Sequence, residues 1–291
     1  MGYSGRYHAA SLAAVFLALA VGILIGVGFG SDIVSGTADD LEQSLEADLD
    51  DARAEIDDLQ GQLETERDFE AQVFPAVVAD RLRGQELALI ALGSLDQSTA
   101  DEVEAAVGPA GATMAEVAVV RDPPDLEALA STVTGQRARA IARGDAEELR
   151  ALGERAGRAL VNGDPGLDEL RGSLLSRFSG SAEGIDAAVV VRDRAADLEP
   201  EEEAVASALE TGLVDGLLAE GITVGVETTD ADPSSIGFFD ERGVATVDSV
   251  DLVSGRVALV FAISDGATGN FGVKETADGL LPDLLAPDGQ G

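Results

Sequence analysis

Cysteine and tryptophan are absent from this sequence of 291 residues, and histidine occurs once, at His8. Without cysteine the chain forms no disulfides and no thiolate metal sites, and it has no cysteine nucleophile. Because His8 precedes a long apolar run, the remainder of the chain cannot supply a Ser-His-Asp triad, an HExxH zinc site or a histidine metal cluster. The 55 acidic residues make any carboxylate pair uninformative as a glycosidase signature. We therefore expect no enzyme, no catalytic residue and no bound cofactor.

Basic residues are also scarce, because 19 lysines and arginines stand against 55 acidic residues, and Lys274 is the sole lysine. The formal net charge is -36. This charge argues against nucleic acid and anionic lipid head groups as partners of the soluble part, since it repels both. The acidity is compatible with a salty or alkaline habitat, and equally with a GC-rich genome and a solvated acidic surface.

The long apolar run covers residues 9–30 and is uncharged. At about 1.5 Å per residue a helix of this length spans roughly 33 Å, enough to cross a hydrocarbon core of about 30 Å. Arg6 precedes the run and Asp32 follows it, so the positive-inside rule predicts a cytoplasmic tail of residues 1–8. The run ends without a small-residue cleavage site, which favours a single-pass plasma-membrane anchor over a cleaved signal peptide. The C-terminal part is then extracytoplasmic.

Three glycines of this run, Gly22, Gly26 and Gly30, lie four residues apart and would share one helix face. That spacing lets two membrane helices approach closely and pack by backbone contact. We interpret these glycines as anchor-packing residues. The alternative is that glycine is simply frequent in membrane helices and in this chain.

Residues 31–74 are predicted to form a coiled-coil stalk. Their apolar residues recur at steps of three and four, the spacing of a heptad seam, and acidic residues occupy the other faces. We expect two copies of the stalk to form a parallel homodimer, although one amphipathic helix packed on its own domain has a similar pattern. The predicted seam consists of Leu49, Ala52, Ile56, Leu59 and Leu63.

Residues 84–282 are predicted to form an α/β domain, followed by a flexible tail of residues 283–291. Short apolar runs alternate with helical patterns, which indicates a mostly parallel, Rossmann-like sheet covered on both faces. The segment 167–178 is expected to be helical, and 245–266 is expected to close the domain with one or two strands. The four other expected strands are residues 86–93, 113–120, 186–193 and 222–228.

A glycine-rich segment, SDGATGNFGVKE, follows the last expected strand. Its glycines lie three residues apart, which is not the G-x-G-x-x-G spacing of a dinucleotide site. We interpret this segment as a structural turn rather than a phosphate-binding loop.

Three stretches of the chain match a known pattern: RYHAASLAAVFLALAVG, DFEAQVFPAVVADRLRG, and a third that begins at ATVDSVDLVSGRVAL near the C-terminus. Together they resemble the actinobacterial copper transporter family. The resemblance covers both ends and the order of the parts, while residues 95–240 match in pattern only. The matching residues are Arg6, His8, Ser11, Ala14, Val15, Phe16, Ala18, Leu19, Gly22, Phe69, Ala71, Gln72, Val73, Leu82, Gly84, Thr246, Val247, Asp248, Gly255, Val257, Gly269, Phe271, Gly272 and Pro282.

The resemblance implies a role in copper homeostasis, in particular efflux across the envelope, and a copper ion as a possible ligand. The residues themselves identify no copper site, because copper(I) prefers thiolate and thioether and copper(II) prefers imidazole. Met114 is the only such donor beyond the apolar run, and its expected strand makes it a core residue. From the donors alone we expect residues 84–291 to bind copper no better than other acidic proteins. The alternative function is a dimeric structural module that contacts other envelope proteins.

Overall fold

The computed structural model describes residues 5–164, 166–181, 184–194 and 198–282. The chain divides into two compact units, residues 1–68 and residues 69–291. Helix α1, Gly5–Val78, supplies the described part of the first unit, and its last turns belong to the second.

The first unit contains the expected apolar helix. Within the described residues, His8–Val27 is one helical segment long and apolar enough to cross a membrane, and its side chains are exposed. This confirms the N-terminal apolar helix and is consistent with a membrane location. The expected tail at residues 283–291, and residues 1–4 of the expected cytoplasmic tail, lie outside the described residues.

The second unit contains seven strands and eight further helices within the described residues. The strands are β1 (Glu86–Gly93), β2 (Thr113–Val120), β3 (Leu175–Gly180), β4 (Ala187–Asp193), β5 (Ile222–Val226), β6 (Ala245–Val247) and β7 (Asn270–Phe271). The helices are α2 (Gln97–Val107), α3 (Leu126–Ser131), α4 (Gln136–Ile141), α5 (Ala146–Asn162), α6 (Gly166–Leu174), α7 (Pro200–Glu220), α8 (Ile236–Asp240) and α9 (Val253–Asp265).

The strands form one sheet in the order β3-β2-β1-β4-β5-β6-β7. All neighbouring pairs are parallel except β2 and β3, which are antiparallel. At the centre, Leu89 of β1 lies opposite Val117 of β2 and Val189 of β4. The expected mixed α/β fold with a mostly parallel sheet is therefore confirmed.

Two hydrophobic clusters cover the two faces of this sheet, which is why its central strands are apolar throughout. In β1 the side chains alternate, so that Ile90 joins one cluster and Leu89 the other. The first cluster includes buried residues of α5 and α7. The second includes the end of α1, together with α2 and α9.

Two sequence-based expectations about elements are wrong. Residues 175–178 belong to the edge strand β3 instead of continuing a helix, because they pair antiparallel with β2. Residues 245–247 form strand β6, one of the one or two strands expected in 245–266, but residues 253–265 form helix α9 rather than a second strand. The apolar run from Val257 to Ile263 is buried as a whole in the second cluster, and a helix buried on all sides has the same pattern as a buried strand.

Helices α5 and α7 pack by direct backbone contact. An added Cβ at Gly153 or Gly157 of α5 would lie less than 3.0 Å from backbone atoms of α7. The same holds for Gly212 and Gly216 of α7 against the backbone of α5. Each helix thus contributes two glycines four residues apart, and side chains at these positions would separate the helices.

Candidate functional site at the carboxyl edge of the sheet

The candidate site lies at the carboxyl ends of β1, β4 and β5. From β1 the chain continues to β2 on one side, whereas from β4 it continues to β5 on the other, so the direction of winding changes between β1 and β4. Open parallel sheets bind ligands at this kind of position. Here it holds a crevice of about 240 Å³, lined by Ser94, Asp96, Thr99, Val191, Arg192, Asp193, Glu227, Thr228, Asp230, Ala231, Asp232 and Pro233.

The junction of β1 and β4 forms the first wall of the crevice. The backbone N–H of Ser94 donates to the carbonyl of Asp193 at 2.8 Å, and its hydroxyl donates to the Asp193 carboxylate. Gly93 has a φ of 101°, and an added Cβ there would lie less than 3.0 Å from the Asp193 carbonyl. Glycine is therefore required for the close approach of these two strand ends.

Glu227 directly follows β5, and its side chain is buried with all its acceptor capacity in use. Its Oε1 accepts from Lys274 Nζ at 2.6 Å and from Ser234 Oγ at 2.7 Å. Its Oε2 accepts from the backbone N–H of Ser235 at 2.6 Å and from the Ser235 hydroxyl at 2.9 Å. Because these four donors occupy the acceptor sites of the carboxylate, Glu227 suits a structural role better than that of a base.

Asp248 occupies the equivalent position after β6 and orders the glycine-rich loop. The backbone N–H groups of Val273 and Lys274 donate to its two carboxylate oxygens at 2.8 and 2.9 Å. Gly272 has a φ of 141°, and a Cβ there would collide with the same carboxylate. The backbone amides that could otherwise bind a phosphate therefore donate to an internal carboxylate. This agrees with the interpretation of the loop as a structural turn.

Beside the crevice, two arginines at the end of β4 contact buried carboxylates. Arg192 Nε donates to Glu210 Oε2 at 2.9 Å, and Arg194 Nε lies 3.5 Å from Glu210 Oε1 and 3.9 Å from Asp122 Oδ2. Burial raises the pKa of Glu210, and the charges of Arg192 and Arg194 oppose that rise. These contacts join the end of β4 to α7 and to the segment that follows β2.

The chemistry available in the crevice is hydrogen bonding by hydroxyls and carboxylates. Five acidic residues line it against Arg192 alone, so its field favours cations and neutral polar groups. Among the described residues, no group of three or more His, Cys, Asp or Glu side chains has a metal-binding arrangement. Met114 lies in β2, partly buried against the second hydrophobic cluster, and not at the crevice.

The predicted site residues of the first unit all lie on α1. Nothing lies within 4 Å of an added Cβ at Gly22 or Gly26, whereas the surroundings of Gly30 lie outside the described residues. Leu49, Ile56 and Leu59 are 55%, 52% and 50% exposed, and Ala52 and Leu63 are exposed as well. The structure brings none of these residues together with the crevice, which is built from the second unit.

Sequence reasoning missed Glu227, Asp248 and Lys274 as a connected group. A usable signal was present, because Glu227 and Asp248 each stand immediately after an apolar strand. Polar residues at that position gather at the ligand-binding edge of a parallel sheet.

Comparisons with known proteins bear on the whole chain. A family model described as "Copper transport outer membrane protein, MctB" matches residues 3–282. The proteins named "Copper transporter MctB" from Mycobacterium tuberculosis and Mycobacterium bovis are similar to this chain, each 34% identical over 106 residues. That segment is 36% of this chain and 34% of each relative, so the chain matches about a third of the length of these relatives.

Proposed function

The chain belongs to the MctB family of copper transport proteins, and on this premise we propose that it acts in copper efflux across the cell envelope as a membrane-anchored dimer. The observation that supports the proposal most strongly is the extent of the family match, residues 3–282, which includes the apolar helix, the acidic helical segment and the α/β unit.

We place the protein in the plasma membrane as a single-pass protein with its N-terminus in the cytoplasm. The support is the segment His8–Val27, which has Arg6 before it and acidic residues after it. The family description names the outer membrane. A single apolar α-helix of this length suits an anchor in the plasma membrane.

We propose that two chains associate in parallel through the stalk. The support is the exposed stripe from Leu49 to Leu63, which in water would leave apolar side chains uncovered. The flanking acidic charge weakens such a coiled coil, and confinement of both chains to one membrane raises their effective concentration. The strand order of the second unit also supports its description as Rossmann-like.

Copper is the cargo in this proposal, and the α/β unit takes part through protein contacts rather than through a copper site of its own. Met114 is the only thioether after the apolar run, and neither cysteine nor histidine occurs there. A tight copper(I) site needs several soft donors, and copper(II) favours imidazole. The carboxylates that remain bind divalent ions with little selectivity.

The test compares cells that carry the gene with cells that lack it. Cells without the protein are expected to accumulate copper and to stop growing at lower copper concentrations, with unchanged zinc content as the control. The full chain restores the phenotype, and the Met114→Leu variant restores it equally well. Equal copper content and equal copper sensitivity in both strains would refute the proposed function.

Orientation is tested separately with protease added to spheroplasts. Digestion of the α/β unit, with protection of a tag placed before Met1, is the expected result. Protection of both ends would contradict the proposed topology without affecting the copper measurements.

A further inference from the structure

A second cavity, which shares no lining residue with the carboxyl-edge crevice, lies between α3, α4, α5 and α6. Its volume is about 370 Å³, within the range of roughly 300–1,000 Å³ that is usual for small-molecule sites. Three arginines line it, Arg137 from α4 and Arg155 and Arg158 from α5. We call the cavity that these three residues line the arginine cavity.

The surrounding sequence departs from the charge of the chain as a whole. Residues 136–162 contain six arginines and four acidic residues, whereas the complete chain carries a net charge of -36. Three of these six arginines line the cavity.

Two of the three arginines are held in position by carboxylates. Arg137 Nε donates to Glu148 Oε2 at 3.0 Å, and Arg158 donates to Glu154 Oε1 at 2.7 Å. A guanidinium has five N–H donors, so each of these arginines retains donors for another acceptor.

Arg155 differs from its two neighbours, because no hydrogen bond or ion pair joins it to any described residue. Partial desolvation lowers the pKa of Arg155 and the positive charge of Arg137 lowers it further, whereas the negative charge of Glu148 opposes both. An anion bound between these guanidinium groups would reduce their repulsion and accept hydrogen bonds that the exposed Arg155 otherwise donates to water.

The floor of the cavity is apolar. Leu152, Ala159 and Leu170 line it and are buried, and Val133 adds a partly buried side chain. Asp164 and Glu169 also line the cavity, and Glu148 and Glu154 pair with Arg137 and Arg158, so Arg155 is the lining guanidinium without a paired carboxylate. The cavity therefore suits a ligand with one anionic end and a small apolar body.

We propose that the arginine cavity binds an amphipathic organic anion, with a carboxylate or phosphate group at Arg155 and an apolar body against Leu152 and Leu170. Both groups match the planar donor pattern of guanidinium. This inference is independent of copper transport and of the dimer.

Calorimetric titration of the full chain in zwitterionic nanodiscs tests the proposal with hexanoate, hexyl phosphate and hexan-1-ol as probes. We expect one saturable site for an anionic probe and none for the alcohol. Stronger binding of hexanoate identifies a carboxylate ligand, and stronger binding of hexyl phosphate identifies a phosphate monoester or lipid phosphate.

Arg155→Ala is expected to weaken binding by about tenfold, the loss typical of one charged hydrogen-bonding group. Arg139→Ala, on α4 but outside the cavity lining, removes the same charge and should leave binding within about twofold, because Arg139 does not line the cavity and salt screens its charge at a distance. Unchanged binding in Arg155→Ala, equal losses in both variants, or equal binding of hexan-1-ol would each overturn the proposal. Circular dichroism verifies that both variants are folded.

Discussion

Pairs of glycines four residues apart occur in two regions of the molecule, and they are in opposite situations. In the second unit, Gly153 and Gly157 of α5 lie against the backbone of α7, which contributes Gly212 and Gly216. In the first unit, no atom lies within 4 Å of an added Cβ at Gly22 or Gly26. The comparison shows that the spacing creates a surface that permits close approach, while a second helix must be present for the surface to be used.

The same contrast holds for larger apolar side chains. The leucines and isoleucines of the second unit are mostly buried between the sheet and its helices, whereas those of α1 in residues 8–27 and 44–68, where the structure describes the side chains, are exposed. Burial of one such side chain stabilises by about 1.5–3 kcal/mol. A second copy of α1 would give the exposed apolar side chains of the first unit a helix to pack against, as α7 does for α5.

The largest expected effect comes from placing charge in the predicted seam. Ile56→Asp combined with Leu59→Asp should abolish the dimer, because four buried apolar side chains per dimer, each worth about 1.5–3 kcal/mol, are replaced by carboxylates. Chemical crosslinking of the full chain in membranes measures the result. Ala54→Asp with Thr65→Asp adds the same charge off the stripe and should preserve the dimer. If the unchanged protein is itself a monomer in membranes, the predicted pairing of two α1 helices is wrong.

The next effect concerns the buried interior of the second unit. Glu116 of β2 is 1% exposed, its carboxylate oxygens have no hydrogen-bond partner among the described residues, and Arg171 is the charge that stabilises it. Burial raises its pKa to about 7. The folded state therefore keeps a proton that the unfolded chain loses above pH 4.5, so this group reduces stability as the pH rises from about 4.5 to about 7.

Glu116→Gln should consequently increase the free energy of unfolding by up to about 3 kcal/mol at pH 8 and change it little at pH 4.5. Urea unfolding of parent and variant at both pH values measures the difference. An equal effect at both pH values would show that Glu116 is not protonated in this way.

A smaller effect is expected at the contact between α5 and α7. Gly212→Ala should destabilise the second unit by about 1–3 kcal/mol, because the added methyl group overlaps the backbone of α5. Gly172→Ala in α6 is the matched control, since nothing lies within 4 Å of its added Cβ. That change should stabilise by about 0.5–1 kcal/mol. A melting temperature that shifts in the same direction in both variants would contradict this explanation of the contact between α5 and α7.

The smallest effect is expected in the apolar helix. Gly22→Leu with Gly26→Leu should weaken the dimer by about 1 kcal/mol if the helices approach as α5 and α7 do. The proportion of crosslinked dimer in membranes measures it, with Ala20→Leu on another face as the control. An undiminished dimer would mean that association depends on the stalk alone.

Much of the fold was predictable because its strands have distinct patterns. The runs at β1, β2, β4 and β5 are short, continuous and bounded by turn residues, and all four strands are confirmed. The error at α9 arose because a run such as VALVFAI is apolar on every side in a buried helix and in a buried strand alike. The short strand β3 was missed because its antiparallel pairing with β2 depends on residues more than fifty positions apart.

The candidate site was less accessible to sequence reasoning. Glu227 and Lys274 are separated by 46 intervening residues, and their contact at 2.6 Å exists because β5 and the loop after β7 end at one edge of the sheet. The arginine cavity likewise combines α4 with α5 and α6, and none of its arginines belongs to a recognisable motif.

The sequence by itself determined the apolar helix, the alternation of strands and helices, and the family, since each depends on local patterns or on matching residues along the chain. It also determined which metal donors exist, because composition lists them completely. Only the tertiary structure decided which carboxylates are satisfied, which glycines touch another backbone and which arginines share a cavity. Those properties depend on distances between residues far apart in the chain, and such distances are set by how the sheet and its two helical layers pack.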